Sequence, residues 1–162
     1  MNVVLHAPEI PQNTGNIART CAATGTALHL IKPLGFELSD RYLKRAGLDY
    51  WKYVNYTIYE NLGDFRARNP FAHCYYASTK SRLAYADARY HPGDYLVFGC
   101  ETRGLPEALL REVYDRCIRI PMREEARSLN LSNSVAIVLY EALRQQGFPN
   151  LSAEGHLREA AE

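Results

Sequence analysis

Short apolar runs and longer amphipathic stretches alternate along the chain. The runs typical of buried strands lie at residues 1–6, 27–31, 54–59, 72–78, 95–99 and 116–120. Stretches with helical spacing of apolar residues lie between or after them, at about 13–24, 39–46, 61–68, 106–114 and 133–146. Because strands and helices alternate, the pattern predicts an α/β domain with a mostly parallel sheet flanked by helices.

Local residues indicate where the helices begin. Asn13 or Thr14 is a suitable cap for the first helix, Ser132 or Asn133 suits the longest one, and Pro106 fits the start of the helix before it. No linker, repeat or low-complexity tract interrupts the chain. We therefore expect one domain over 1–150 and a polar, frayed tail over 151–162.

The longest predicted helix is apolar on more than one face. Its apolar positions cover most of the helix surface: Val135, Ala136, Ile137, Val138, Leu139, Ala142 and Leu143. A helix of this kind is buried on most sides. Two interpretations stay open, a central core helix or a helix that a second subunit covers.

Composition narrows the class of protein without deciding it. Of the 162 residues, 47% are hydrophobic and 23% are charged, as in a globular domain. No apolar run is long enough to cross a bilayer, and residues 1–6 lack the basic start of a signal peptide, so we expect a cytoplasmic protein without a membrane partner. The net charge of +1 means that any nucleic-acid binding must come from local patches.

Neither cysteines nor histidines have the spacing of metal ligands. Cys21, Cys74, Cys100 and Cys117 form no C-x-x-C pair, and three of them adjoin apolar residues. This favours buried free thiols over disulfides, and we expect no metal site.

Two segments combine a strand, a polar loop and a helix. Segment 13–19 follows the first strand, where backbone N–H groups suit an anion and Arg19 could pair with a phosphate. Segment 95–106 is a strand that enters a loop bracketed by Gly99 and Gly104, and it matches neither a Walker loop nor G-x-G-x-x-G. The ordinary alternative for segment 13–19 is a capped helix with a surface arginine. For segment 95–106 it is a plain strand-to-helix turn.

A third segment joins the last strand to the longest helix. The strand stops at Pro121, and short hydroxyl and amide side chains then cluster over 128–134 around two leucines. An elaborate helix N-terminus is one interpretation. A pocket with an apolar floor and convergent hydrogen-bonding groups is the other.

Taken in order, the three segments resemble the motifs of the SPOUT superfamily of RNA methyltransferases, across essentially the whole chain. The matching stretches are Asn13-x-Gly15-Asn16-x-x-Arg19, then Gly99-x-Glu101-x-x-Gly104, then Ile120-Pro121-Met122 with residues 128–133. Segment 8–16 and the lack of an added RNA-binding domain resemble the minimal branch that methylates the wobble nucleotide of leucine tRNAs. Cys100 is a minor departure, since relatives often carry proline there.

The resemblance implies a single SPOUT domain with a deep C-terminal trefoil knot and a homodimer formed through the first and last helices. It implies S-adenosylmethionine (SAM) as cofactor, S-adenosylhomocysteine as product, and no metal. By position it assigns the cofactor contacts to seven residues: Ala77, Gly99, Glu101, Ile120, Met122, Ser128 and Leu129.

The resemblance also makes Arg19 the catalytic residue, acting on a ribose 2′-hydroxyl. Relatives are thought to use this arginine as a general base, but a guanidinium keeps its proton at neutral pH, and stabilising the developing alkoxide is physically easier. We expect the anticodon loop of leucine tRNA to contact seven residues: Asn13, Asn16, Arg41, Lys44, Arg45, Arg127 and Tyr140. A core position for Tyr140 is an equal alternative.

Other functions stay open on sequence grounds. An oxidoreductase on a doubly wound sheet needs a glycine fingerprint after the first strand, and segment 7–11, with Pro8 and Pro11, is unsuitable for one. A non-catalytic RNA-binding protein of the same fold would not need Arg19 or the SAM loops. An rRNA substrate fits the same motifs as a tRNA substrate.

Overall fold

The computed structural model describes residues 1–38 and 51–157 of the chain. The helix predicted over 39–46 lies outside the described residues, and so do Arg41, Lys44 and Arg45. Across the two described ranges, strands and helices alternate as the sequence pattern predicted.

Six parallel strands form one sheet in the order β3-β2-β1-β5-β4-β6. Their bounds are β1 Asn2–His6, β2 Ala27–Ile31, β3 Tyr56–Tyr59, β4 Cys74–Ala77, β5 Tyr95–Phe98 and β6 Cys117–Ile118. The chain therefore moves outward from β1 to β3, crosses to the other half, and ends its last strand beside β4. This confirms the predicted mostly parallel sheet.

Helices cover both faces of the sheet. They are α1 Pro11–Thr24, α2 Leu62–Arg68, α3 Glu107–Glu112 and α4 Leu131–Gln145, with short 3₁₀ turns at Trp51–Tyr53 and Tyr114–Arg116. Because side chains alternate along a strand, Val3 and Leu5 of β1 pack with α1 and α4, whereas Val4 packs on the opposite face with α2 and α3. Because an apolar core covers each face of the sheet, we expect a polar site at the ends of the strands.

The predicted caps of α1 and α4 are wrong. Helix α1 begins at Pro11, its N-cap is Ile10, and no local side chain caps it. Asn13 therefore lies inside the helix. Helix α4 begins two residues earlier than predicted because the side-chain oxygen of Asn130 accepts hydrogen bonds from the backbone N–H groups of Ser132 and Asn133.

Strand β6 is shorter than the predicted run over 116–120. A 3₁₀ turn precedes it, and its continuation pairs with a different segment. The Arg119 N–H donates to the Leu83 carbonyl, and the Arg119 carbonyl accepts from the Tyr85 N–H. The backbone beyond Ile118 is therefore held by the long connection between β4 and β5.

All four cysteines are buried free thiols, as predicted. Burial raises the pKa of Cys21 to about 12 and raises the pKa of Cys74 and of Cys117, so these thiols stay protonated at neutral pH. No helix within the described ranges is long and apolar enough to cross a membrane.

Candidate functional site

A cavity of about 550 Å³ opens at the carboxyl ends of β4, β5 and β6. The loops that follow these strands form its wall, over residues 77–80, 98–105 and 127–131. Apolar side chains from the core line its base, among them Leu110, Ile118 and Val138. The crevice at the carboxyl ends of the strands is where open α/β sheets bind ligands.

All seven residues assigned to the cofactor by position line this cavity. They are Ala77, Gly99, Glu101, Ile120, Met122, Ser128 and Leu129. The predicted RNA-binding residues Asn13 and Arg127 also line it. The structure thus brings together three segments that are far apart along the chain.

The loop between Gly99 and Gly104 folds back on itself. The Gly104 N–H donates to the Cys100 carbonyl at 2.9 Å, and Gly104 has a φ of +69°. A Cβ atom added to Gly99 would lie 2.0 Å from the Gly104 carbonyl carbon, so no larger residue fits there. Glycine at both positions therefore makes a narrow turn whose backbone faces the cavity.

The carboxylate of Glu101 is directed to the segment between β1 and α1. It accepts hydrogen bonds from the Glu9 N–H at 2.8 Å, the Ile10 N–H at 3.1 Å and the Asn13 side-chain amide at 3.0 Å. Glu101 lines the cavity, but its side chain joins two loops instead of pointing its oxygens at a ligand. This interaction also explains the missing local cap of α1, because a carboxylate from another segment satisfies backbone N–H groups at the helix start.

The same two loops are joined a second time in the opposite direction. The Glu9 carboxylate accepts from the Thr102 backbone N–H at 3.2 Å and from the Thr102 hydroxyl at 2.8 and 2.9 Å. We call this exchange, in which Glu9 and Glu101 each bind the other's loop, the carboxylate clasp. It fixes the start of α1 against the glycine-bracketed loop.

Asn13 links the clasp to the third segment. Its side chain is only 6% exposed, and its oxygen accepts from the Asn130 amide at 3.0 Å while its amide binds Glu101. Asn130 in turn caps α4. Both polar atoms of Asn13 are thus engaged in joining the three loops, and its role as an RNA contact stays a prediction.

Asn16 and Arg19 are exposed on the outer face of α1. Arg19 does not line the cavity of its own chain. Six residues separate Asn13 from Arg19, which turns their side chains about 120° apart around the helix axis. The expected catalytic residue therefore faces away from the cavity that Asn13 faces.

Tyr140 lies on the outer face of α4 and is 45% exposed. It is therefore no core residue within this chain, although its neighbours Ala136 and Ile137 are half-buried. Helices α1 and α4 pack beside each other on one face of the sheet. The outer faces of these two helices form one surface with apolar and polar positions.

The charges at the cavity rim are of two kinds. Lys80 forms an ion pair with Glu107, which lowers the pKa of that carboxyl through a hydrogen bond and charge attraction. Arg103 and Arg127 line the cavity, are exposed, and have no acidic side chain within 4 Å among the described residues. Within the described ranges, no group of three or more His, Cys, Asp and Glu side chains is arranged to hold a metal ion.

The sequence analysis did not name Glu9, Thr102, Arg103 or Asn130 as site residues, although all four lie within its motif segments. Glu9 carries the one available signal, an acidic residue directly before a proline-started helix, where a carboxylate is favourable. Nothing in the sequence connects Glu9 to Thr102, because 93 positions separate them.

The parallel sheet, the cavity at its carboxyl edge and the glycine-bracketed loop define an α/β enzyme that holds a small cofactor beside an open surface. The model of the SpoU rRNA Methylase family matches residues 1–140. The chain belongs to this family, which confirms the resemblance to RNA methyltransferases found in the three motifs.

Several known proteins are similar over nearly the whole chain. The tRNA (cytidine(34)-2'-O)-methyltransferase of Methylovorus glucosotrophus is 49% identical over 148 residues, which cover 91% of this chain and 96% of that protein. A solved structure described as giving structural insights into the 2-OH methylation of C/U34 on tRNA has a TM-score of 0.85 and 46% identity, covering 90% of this chain and 95% of that one. The AdoMet-bound rRNA methyltransferase from Sinorhizobium meliloti has a TM-score of 0.77 and 28% identity, covering 88% and 55%.

Proposed function

We propose that this chain transfers a methyl group from SAM to the ribose 2′-hydroxyl of the wobble nucleotide, position 34, of leucine tRNAs. The nucleotide is cytidine or a modified uridine. The observation that carries the proposal is the meeting of all three motif segments around one cavity. Relatives named for cytidine 34 methylation, at 49% identity, support the tRNA target.

The cavity suits SAM in size and chemistry. The backbone turn between Gly99 and Gly104 lines the cavity, and Ile120, Met122 and Leu129 offer apolar contact. Backbone groups of the same loops can donate and accept hydrogen bonds at the ring edge. When bound, SAM supplies a methyl group activated by a sulfonium, and S-adenosylhomocysteine is left. The residues that would hold SAM lie at the carboxyl edge of the sheet.

Arg19 is the residue that we propose acts on the ribose. Its guanidinium can clamp an RNA phosphate and stabilise negative charge that develops on the 2′-oxygen, while the phosphate or water accepts the proton. Alignment of the 2′-oxygen contributes as well, up to about 7–11 kcal/mol in favourable model systems.

Arg19 acts across a dimer in this proposal. It lies on the outer face of α1, away from the cavity of its own chain, and next to the outer face of α4 with its half-buried Ala136 and Ile137. A twofold pairing through these faces would cover the apolar positions and bring Arg19 and Tyr140 toward the partner's cavity. The homodimer is thus part of the mechanism.

RNA binding requires cations near the cavity. We assign phosphate contacts to Arg127 and add Arg103, since both guanidiniums line the cavity without an acidic partner among the described residues. Asn16 and Tyr140 on the outer helix faces are further contacts. Arg41, Lys44 and Arg45 remain predictions, because they lie outside the described residues.

The same proposal includes a single knotted domain over 1–150, a tail over 151–162 and a cytoplasmic location. The pairing of Arg119 with residues 83–85, followed by the return of α4 to the face of α1, supports a threaded chain. A knot that tightens under force shortens the fully stretched chain. Optical-tweezers extension should therefore fall short of the contour length of an unknotted 162-residue chain.

The deciding experiment is transfer of labelled methyl from SAM to tRNA and to rRNA from cells lacking this protein. Label at a wobble 2′-O-methyl of leucine tRNA, lost in Arg19→Ala with SAM binding retained, supports substrate, reaction and residue. Label on rRNA alone changes the substrate. SAM binding with no label on either RNA favours the non-catalytic alternative.

Subunit complementation tests the action of Arg19 across the dimer. Arg19→Ala supplies an intact cavity without the arginine, and Gly99→Ala supplies the arginine without a functional cavity. Mixed dimers of these two inactive chains should regain activity, because one of their two sites is complete. Absence of recovery in verified heterodimers would place Arg19 in its own chain's site.

The rim arginines are tested by charge-removing variants. Arg103→Gln and Arg127→Gln should each weaken tRNA binding and reduce its salt dependence by about one counterion. Arg89→Gln removes an equally exposed charge near the far end of α4, where Gln145 binds the Ala88 carbonyl and the Tyr90 N–H, and should change neither. Equal effects from all three variants would indicate only general charge attraction.

A further inference from the structure

The carboxylate clasp joins two parts that the reaction must hold in register. One is α1, which carries Arg19, and the other is the loop over 99–104, which forms a wall of the cavity. Each loop presents a carboxylate to backbone N–H groups of the other, so the contact resists both sliding and separation. Glu101 belongs to the family motif. The other half of the clasp is the contact of the Glu9 carboxylate with Thr102.

Glu9 is held from behind as well. The Gly35 N–H donates to the Pro8 carbonyl at 2.9 Å, and a Cβ at Gly35 would lie 2.6 Å from the Glu9 carbonyl oxygen. The backbone of Glu9 is therefore confined between the loop after β2 and the cavity loop. Such confinement fixes the direction of its side chain.

The Glu9 half of the clasp consists of exposed hydrogen bonds, so we expect it to contribute little to stability. Thr102 is exposed, Glu9 is half-buried, and neither Glu9 nor Glu101 forms an ion pair with any described Lys, Arg or His within 4 Å. Two carboxylates in adjacent loops without a cation between them repel each other. Exposed hydrogen bonds to two carboxylates without a cation between them are better suited to fixing the position of one loop against the other than to stabilising the fold.

We propose that Glu9 is a positioning residue for methyl transfer, acting through Thr102 to set α1 against the cofactor loop. The inference rests on the proposed function. Glu9 touches neither the cofactor nor the RNA in this role. Its removal should slow the chemical step while leaving cofactor affinity and fold largely intact.

The test is single-turnover methyl transfer at saturating SAM and tRNA, with SAM affinity and melting temperature measured on the same samples. Glu9→Ala should reduce the rate about 100-fold, as expected for a displacement of about 1 Å between reacting groups. Glu9→Gln keeps the length and one oxygen acceptor, so it should restore part of the rate. SAM affinity should stay within about threefold, because the Glu101 half of the clasp remains.

Thr102 provides an independent check on the same contact. Thr102→Val removes the hydroxyl donor and Thr102→Ser keeps it, so the rate should fall in the first and recover in the second. The Glu9→Ala/Thr102→Val double variant should be no slower than Glu9→Ala alone, because both changes break one interaction. Additive losses would mean that Glu9 does not act through Thr102.

Two controls separate positioning from stability and charge. Asn61→Ala removes the cap of α2 on the opposite face and should lower the melting temperature without slowing transfer. Glu37→Gln removes an exposed carboxylate from the neighbouring loop and should leave the rate unchanged. A rate loss in Glu9→Ala no greater than in Asn61→Ala, or one fully explained by weaker SAM binding, would overturn the inference.

The wild-type chain distinguishes the two proposals. An active wild type with an equally active Glu9→Ala overturns the positioning role alone. A wild type inert on both tRNA and rRNA overturns the proposed function and this inference with it.

Discussion

Among the described residues, two of the polar networks differ in what they connect. At the carboxyl edge, the network of Glu9, Asn13, Glu101, Thr102 and Asn130 joins three loops around a cavity. We call it the cavity network. In this network, side-chain hydrogen bonds hold together loops that are not joined by strand pairing.

The second network lies within the sheet on the face covered by α2. His29 shares hydrogen bonds with Tyr59 at 2.9 Å and Asn2 at 3.2 Å, and Asn69 connects Tyr59 to Tyr95. Because Asn2 uses its amide to donate to Gly93, its oxygen accepts from His29 Nε2–H, and His29 Nδ1 accepts from the Tyr59 hydroxyl. We call this the histidine network, and its members bind one another.

The difference indicates that one network serves mainly stability and the other mainly function. The histidine network closes on itself among aromatic rings, so its loss should cost stability and leave the reaction unchanged. The cavity network is partly exposed and ends at loops that line the cavity. Its loss should affect binding and turnover before it affects the fold.

Gly99→Ala should break the cavity network most severely. The added Cβ would lie 2.0 Å from a backbone carbon that has no free space to move into, so the loop must change shape. We expect SAM binding to fall below detection in calorimetry. Retained SAM affinity would mean that this loop does not form the cofactor cradle. Gly155→Ala, at a glycine with open space and without a positive φ, is the control.

Asn130→Ala should affect both activity and stability. It removes the cap of α4, which costs about 1–2 kcal/mol of unfolding free energy, and it also releases Asn13. Asn61→Ala removes an equivalent cap from α2. Chemical denaturation should give similar stability losses for the two, while only Asn130→Ala slows methyl transfer. Equal activity in both variants would remove Asn130 from the cavity network's function.

The histidine network predicts a pH dependence of stability. Burial, with a smaller contribution from Arg68, lowers the pKa of His29 from 6.5 to about 4. The unfolded chain therefore takes up a proton below pH 6.5 before the native chain does, and stability falls as pH falls toward 4, by at most about 1.4 kcal/mol per pH unit. His29→Asn should have a flatter pH profile in urea unfolding. An unchanged slope would contradict the assignment, and a changed catalytic rate would break the separation between the two networks.

The smallest effect is expected at a surface ion pair that belongs to neither network. Lys32 and Glu60 approach to 2.7 Å, but both side chains are well exposed. Glu60→Gln should cost less than about 1 kcal/mol in unfolding free energy and leave the methyl-transfer rate unchanged. A larger loss would show that exposed contacts on this surface matter more than the comparison assumes.

The apolar pattern, together with glycine and proline positions, predicted the strand and helix order over the described residues. The strong signals were the apolar runs and the glycine and proline positions, which act within a few residues. The motifs also identified the residues that line the cavity. The element order depends on local sequence, and the position of the cavity residues depends on parallel strands ending at one edge of the sheet.

What could not be predicted depends on contacts between distant residues. The N-cap of α1 is Ile10, whose N–H binds the distant carboxylate of Glu101, so Asn13 and Thr14 only resembled local caps. The outward direction of Arg19 depends on which face of α1 packs on the sheet, and that packing involves distant residues. Helix α1 also begins at Pro11 instead of residue 13. The pairing of Arg119 with Leu83 and Tyr85 shortened β6 for the same reason.

The remote completion of α1 also has a consequence for synthesis. Helix α1 leaves the ribosome well before the carboxylate at its start, which is 91 positions beyond Ile10 on the loop after β5. Strand β1 likewise cannot complete its pairing until β5, its second neighbour in the sheet, has been synthesised. The nascent chain must therefore keep its first strand and helix incomplete until about residue 101 has emerged. Contacts of such long sequence separation slow folding and leave sheet edges exposed, so the first third of this protein should depend most on protection during translation.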